Sequence, residues 1–288
     1  MNVGGVGELG LIARLKPYLS SGAGGDDAAV IADATGFVVA STDMFVEGVH
    51  FDLAWMTPED VGWRSLALAL GDLAAKGADP AWALASIALP RTWPLQRLDG
   101  IYAGMHELAG RYQLAIEGGD LSAIDGPAVI SLTVAGRTND APLARSIAEA
   151  GWSVAVTGPL GKAALALREK KPYRLVPLIE EGKRLNELDL CCGDISDGLV
   201  REMEKFAAMA GVGCIVWGED VPRVPGASIE DALTSGEEAE LVAVGPDEIL
   251  KKAGLQAVGK LTEDHAVKVI DARGADIRLR GTGYDHFA

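Results

Sequence analysis

The chain has 288 residues, 49% of them hydrophobic, enough to bury one large core or two ordinary ones, so disorder is excluded and two domains are expected. Its 41 acids outweigh 26 bases for a formal charge of -15, which repels nucleic acid and anionic lipid, and no Lys/Arg cluster offsets it. Cys191, Cys192 and Cys214 have neither zinc-site nor disulfide-framework spacing, and residues 1–10 carry no basic, apolar leader, so a soluble cytoplasmic protein is expected.

Glycine, at 36 residues, exceeds the usual ~7% and predicts tight turns and close backbone approaches. In chain order, residues 36–40 (GFVVA) read as a strand that halts at Ser41, Thr42 and Asp43. A helix is predicted over 58–76, with Thr57 as N-cap, Pro58 in the first turn, Glu59 and Asp60 at the positive dipole end, and Gly77 and Pro80 as stop signals. A second helix over 95–112 places Leu98, Ile101, Met105, Leu108 and Tyr112 at helical spacing. Residues 114–117 form a short strand running into Gly118, Gly119 and Asp120. The run 153–157 (SVAVT) ends at Gly158 and Pro159 before a helix near Gly161. A third helix after Ser196 carries Leu199, Met203, Phe206 and Ala210 on one stripe, with Gly211 as C-cap. The polar stretch 137–151 marks the boundary between an α+β half over 1–137 and an α+β half over 138–288.

Asp72 is the most informative acid, because its helix is apolar nearly all round and Val61, Ser65, Leu68 and Ala69 share its face. An ionised carboxylate buried there needs a partner, either a neighbouring turn or Lys76, or else a metal ion. Asp26, Asp27, Asp43, Asp120, Asp194 and Asp197 all stand at strand ends or helix starts. Each alone suits a turn, but together they can converge on a cleft whose hard oxygen ligands, with Thr42, fit Mg²⁺ rather than zinc. Two phosphate-cradle patterns fail. Residues 5–10 (GVGELG) have no room for a preceding strand, and 158–163 (GPLGKA) has Val156 where a P-loop needs its first Gly and Ala163 where it needs Ser or Thr.

The ordered series Gly25-Asp26-Asp27, Ser41-Thr42-Asp43 with Gly48, His50 and Phe51, Asp72-Leu73-Ala74-Ala75, Gly118-Gly119-Asp120, Arg145-Ser146, Ile195-Ser196-Asp197-Gly198-Leu199, Ser235-Gly236-Glu237 and Gly283-Tyr284-Asp285-His286-Phe287 resembles the thiamine-monophosphate kinase family. The resemblance spans essentially the whole chain. It implies a two-domain aminoimidazole ribonucleotide synthetase-like α+β fold, with an N-terminal sheet forming a dimer barrel and a C-terminal α/β sandwich. It further implies a homodimer that uses ATP and several Mg²⁺ ions to phosphorylate thiamine monophosphate. By the family pattern Asp27, Ser41, Thr42, Asp43, Asp72, Asp120, Asp194 and Asp197 hold Mg²⁺. Gly119, Asp120, Arg145 and Ser196 touch the nucleotide, and His50 and Glu237 the thiamine phosphate. Arg145, Asp43 and Asp72 would carry the catalysis. Three features depart from the pattern: Glu238 replaces an Asp, Gly281 stands where relatives often present an aromatic ring, and the segment 170–189 is short. The alternatives are another ATP enzyme of the superfamily and a non-catalytic Mg-ATP sensor. A selenophosphate synthetase would need an early reactive Cys, and a hydrogenase-maturation dehydratase a terminal one.

Overall fold

The computed structural model describes residues 7–19 and 26–287; Gly5 and Gly25 of the glycine motifs lie outside them. The chain forms two compact units. One takes in Met1–Asp27, Leu143–Leu165 and Leu185–Ala288, and the other Ala28–Pro142 and Ala166–Arg184. The first opens with α1 (Glu8–Leu15) before the chain passes into the second.

The second unit is built on a five-stranded sheet of β1 (Ala29–Asp33), β2 (Gly36–Val46), β3 (Asp79–Pro90), β4 (Ala115–Ile124) and β5 (Val129–Thr138), in the order β1-β2-β5-β3-β4. Only β3 and β4 run parallel, because α3 (Leu95–Arg111) makes the crossover between them. Strand β2 does not halt at Ser41. It continues through Thr42 and Asp43 to Val46, since β5 pairs with it without a break from Phe37↔Thr138 to Val46↔Val129, and the ladder outweighs the polarity of three side chains. Strand β4 likewise runs through Gly118, Gly119 and Asp120 to Ile124 along β3.

Helix α2 (Pro58–Ala75) starts where Thr57 and Asp60 exchange side-chain and backbone hydrogen bonds in a capping box. It packs on β2 and β5 and against α3. The two helices approach through glycine: a Cβ on Gly62 would lie 1.8 Å from the Ile101 carbonyl oxygen, and one on Gly104 would lie 2.0 Å from that of Glu59. Ile101, Met105 and Leu108 of the predicted stripe are buried there. The Ala166–Arg184 segment straps onto the same pair. Trp63 Nε1 donates to the Leu175 carbonyl at 2.7 Å, Tyr112 Oη donates to that of Pro177 at 2.8 Å, and the Arg174 guanidinium lies 4.9 Å from the Trp63 ring.

The other unit carries β6 (Ser153–Val156), β7 (Cys191–Asp194), β8 (Gly213–Trp217), β9 (Leu241–Gly245), β10 (Ala257–Thr262) and β11 (Val267–Ile270), in the order β11-β8-β10-β6-β9-β7. Between these strands come α4 (Lys162–Glu169), α5 (Ile179–Asn186), α6 (Leu199–Ala210), α7 (Ile229–Thr234) and α8 (Asp247–Lys252). Leu199, Met203 and Phe206 of α6 pack with Val154, Val216 and Val244 into its core, and Gly211 ends α6 in the left-handed conformation, φ 70°. Cys191 and Cys214 fill the same core. Burial pushes the Cys214 thiol up to about 12, so it stays protonated and inert. Among the described residues neither sheet closes on itself, and no helix is long and apolar enough to cross a membrane.

The glycine contact between α2 and α3 gives a first expectation. Helix propensity alone favours Ala over Gly by roughly 1 kcal/mol, yet Gly62→Ala drives a methyl into a carbonyl and should destabilise by about 1–3 kcal/mol. Thermal unfolding of the variant checks the sign.

Candidate active site

In the five-stranded unit the pleat sorts the predicted residues. Val39, Ser41, Asp43 and Phe45 alternate onto the face that receives α2, and α2 brings Asp72, 9% exposed, to the same face. Ser41 Oγ donates to Asp72 Oδ2 at 2.5 Å, so a strand hydroxyl and a helix carboxylate already form one oxygen-rich group. Thr42 takes the opposite pleat, where its Oγ1 accepts from Thr133 at 3.2 Å; only its main chain lies with Ser41 and Asp43. The register carries one row Asp43–Leu132–Ala85–Gly119 and the next Met44–Ser131–Ser86–Asp120, so within this sheet Asp120 stands on the edge strand, three strands from Asp43 and on the opposite face.

Gly118, Gly119 and Asp120 line an open groove of about 820 Å³ with Asp99, Tyr102 and His106 of α3. Gly119 has to be glycine: a Cβ there would lie 1.8 Å from the Ala85 carbonyl oxygen. The bare backbone of β4 is thereby open to a ligand beside an aromatic ring. The α3 residues were not singled out from sequence, although their i, i+3, i+7 spacing forms a polar stripe about 100° round the helix from the apolar one. His50, just after β2, has Nδ1 accepting from the Val46 amide at 3.0 Å and its ring edge-on to Phe45. That bond puts the proton of the neutral imidazole on Nε2.

In the six-stranded unit the other acids gather around two cations, the buried Arg145 and the half-buried Lys205. Arg145, 1% exposed in a 3-10 turn, donates through Nε to Glu202 Oε1 at 2.6 Å, through Nη1 to Asp26 Oδ1 at 3.2 Å and through Nη2 to Asp27. Asp194 ends β7, and carboxylate oxygens of Asp27 and Asp194 lie within 4.8 Å of each other. Burial first, and then the Asp27 charge, raise Asp194 well above the ordinary carboxylate range. Lys205 on α6 holds Asp197 Oδ2 at 3.0 Å. Neither Glu202 nor Lys205 was anticipated. Glu202 interrupts the apolar stripe one residue before Met203, and an acid in that position is the signal that was available.

Glycine backbones converge on this loop. The Ser196 carbonyl accepts from the Glu237 amide at 2.7 Å, and the Asp197 carbonyl from the Tyr284 amide at 2.9 Å. A Cβ on Gly236 would meet the Ser196 oxygen at 2.1 Å, and one on Gly283 the Asp197 oxygen at 2.3 Å. Glu237 pays for its place with a left-handed backbone, φ 57°, a strained conformation for a side chain of its length. Its neighbour Glu238 is buried and caps α4, accepting from the amides of Gly161 at 2.9 Å and Ala163 at 3.2 Å. The P-loop look-alike at 158–163 is thus filled by the protein's own carboxylate. Gly281 has nothing nearer to a would-be Cβ than the Gly283 oxygen at 3.9 Å, and the exposed Tyr284 stands edge-on to His286 with ring centres 4.7 Å apart.

Residues 25–138 match the family model for the AIR synthase related protein, N-terminal domain. The chain is 35% identical over 258 residues to thiamine-monophosphate kinase of Rhodopirellula baltica, covering 82% of this chain and 79% of that one. It is 31% identical to that of Synechococcus elongatus over 98% and 97% of the two chains. Its structure resembles that of AaThiL complexed with AMPPCP and TMP, with a TM-score of 0.88 and 29% identity over 99% of each chain. Likeness at this identity and coverage, joined to an α+β fold that brings the motif residues onto two carboxylate-rich surfaces, makes the chain a member of the thiamine-monophosphate kinase family.

Proposed function

We propose that this chain transfers the γ-phosphoryl group of ATP to the phosphate of thiamine monophosphate, releasing ADP and thiamine diphosphate. The observation that carries this reading is the end-to-end likeness to AaThiL complexed with AMPPCP and TMP. The donor sets fit Mg²⁺: Ser41, Asp43 and Asp72 in one unit and Asp27, Asp194 and Asp197 in the other offer hard oxygens, with no thiolate among them. Asp120 and the main chain of Thr42 complete the list we assign to the metal. Bound there, Mg²⁺ would neutralise the charge of two anions that must meet in line.

The rest falls to the chain's own groups. The acceptor phosphate, with a second pKa of about 6, is largely dianionic at neutral pH, so no side chain has to remove a proton from it. Gly119 offers the nucleotide a backbone without side chains, and Tyr102 an adjacent ring. Arg145 supplies a cation for the charge that develops in transfer, and Ser196, on the loop that also fixes Glu237, contacts the nucleotide. His50 and Glu237 orient the thiamine phosphate. The open face of the five-stranded sheet exposes Ile31, Met44, Trp82 and Leu84, and we assign it to a homodimer contact. The acidic composition suits a cytoplasmic protein.

The purified chain incubated with ATP, Mg²⁺ and thiamine monophosphate should yield ADP and thiamine diphosphate in equal amounts; ATP binding with neither product would favour a nucleotide sensor. Asp43→Asn and Asp72→Asn should each cut turnover by about two orders of magnitude with unchanged circular dichroism, and near-normal rates in both would remove these residues from the mechanism. Leu84→Glu, which places a charge on the open sheet face, should shift the sedimenting species from dimer to monomer.

A further inference from the structure

Glu202 lies on α6 among Leu199, Met203 and Phe206 and is 1% exposed, so its charge must be compensated where it sits. Its Oε1 accepts from Arg145 Nε at 2.6 Å and lies 2.5 Å from Nη2, while Oε2 faces Lys205 Nζ at 3.6 Å. The space is reserved for this pair. A Cβ on Gly193 of β7 would fall 2.1 Å from Glu202 Oε1 and 3.1 Å from Arg145 Nη2, and the Phe206 ring backs the guanidinium at 5.5 Å.

The guanidinium therefore has two unlike edges. One is fixed to a helix locked into the core. The Nη groups also reach Asp26 and Asp27, which lie on the segment just before β1. The acids around Arg145 and Lys205, namely Asp26, Asp27, Asp194, Asp197 and Glu202, outnumber these two bases. A divalent cation taking Asp27 would relieve their repulsion and draw Asp27 off Nη2, leaving Asp26 on Nη1 as the one carboxylate an arriving anion has to displace from that edge.

We propose that Glu202 is the positioning residue for Arg145: it holds the Nε edge on α6 while the Nη edge passes from Asp26 and Asp27 to the phosphate oxygens of the nucleotide. This deepens the kinase reading and rests on it for the identity of the anion.

Arginine side-chain NMR tests the idea on the full chain, with the Arg145 Nε–Hε signal assigned through bonds from the backbone. The Nε proton should be protected from solvent exchange by at least about tenfold relative to an exposed arginine, and should stay protected when Mg²⁺ and AMPPCP are added, while the Nη signals shift. Loss of Nε protection on adding the analogue, or Nη signals that do not respond to saturating analogue, would overturn the proposal. Glu202→Gln, which keeps an acceptor oxygen but not the charge, should lower the protection several-fold and raise KM for ATP about tenfold or more, and Glu202→Asp, which keeps the charge, should restore part of both. A folded Glu202→Gln variant with unaltered protection and KM would also overturn it. Should that variant fail to fold, the wild-type spectra decide alone. The NMR arm contains no thiamine monophosphate, so a chain that binds the analogue but makes no thiamine diphosphate fails the kinase reading without failing this test.

Discussion

Carboxylates withdrawn from water govern the rest of this structure. Each needs a counter-charge or a hydrogen-bond donor within reach, and nearly every unusual local feature is such a provision. Ser41 donates to Asp72, Arg145 spans Asp26, Asp27 and Glu202, Lys205 joins Asp197 to Glu202, and the amides at the start of α4 receive Glu238. The glycines at 119, 193, 236 and 283 exist because a β-carbon would collide with these arrangements or with the carbonyls beside them.

The same constraint links fold to chemistry. On the proposed reading, a site for a triphosphate and a phosphate monoester needs a positive centre stronger than protein side chains supply, and the surplus of acids over bases would make room for divalent ions. In their absence the surplus is costly. Arg145 and Lys205 limit that cost by pairing with the acids on either side of the loop between β7 and α6. On the same reading Arg145 stays, and its carboxylate partners Asp26 and Asp27 are what a ligand replaces.

Much of this was legible in the sequence, for identifiable reasons. Helix α2 announced itself because its cap, first-turn acids and stop glycine are all local, and the apolar stripe of α6 is periodic. The motif aspartates stand out through their order along the chain. Strand ends were misread at Asp43 and at Gly118, because polarity and glycine suggest a stop, whereas continuation is decided by the neighbouring strand, which no local window contains. Thr42 and Ser41 look alike in sequence and differ only by pleat. Glu202 was passed over because a helical stripe invites one to read its apolar members and ignore the acid among them. The groove residues Asp99, Tyr102 and His106 belong to a helix whose partner strand comes later in the chain, so their significance is tertiary.

The strap has a consequence for how the molecule can be taken apart. The polypeptide passes between its two units after Asp27, after Pro142, after Leu165 and after Arg184. No single cleavage can therefore release either body whole. A fragment beginning at Leu143 would carry the Ala166–Arg184 stretch without Trp63 and Tyr112, whose donors satisfy its carbonyls. The two bodies are sewn by the backbone itself, and dissection of this enzyme into independent halves would have to cut, and rejoin, at more than one seam.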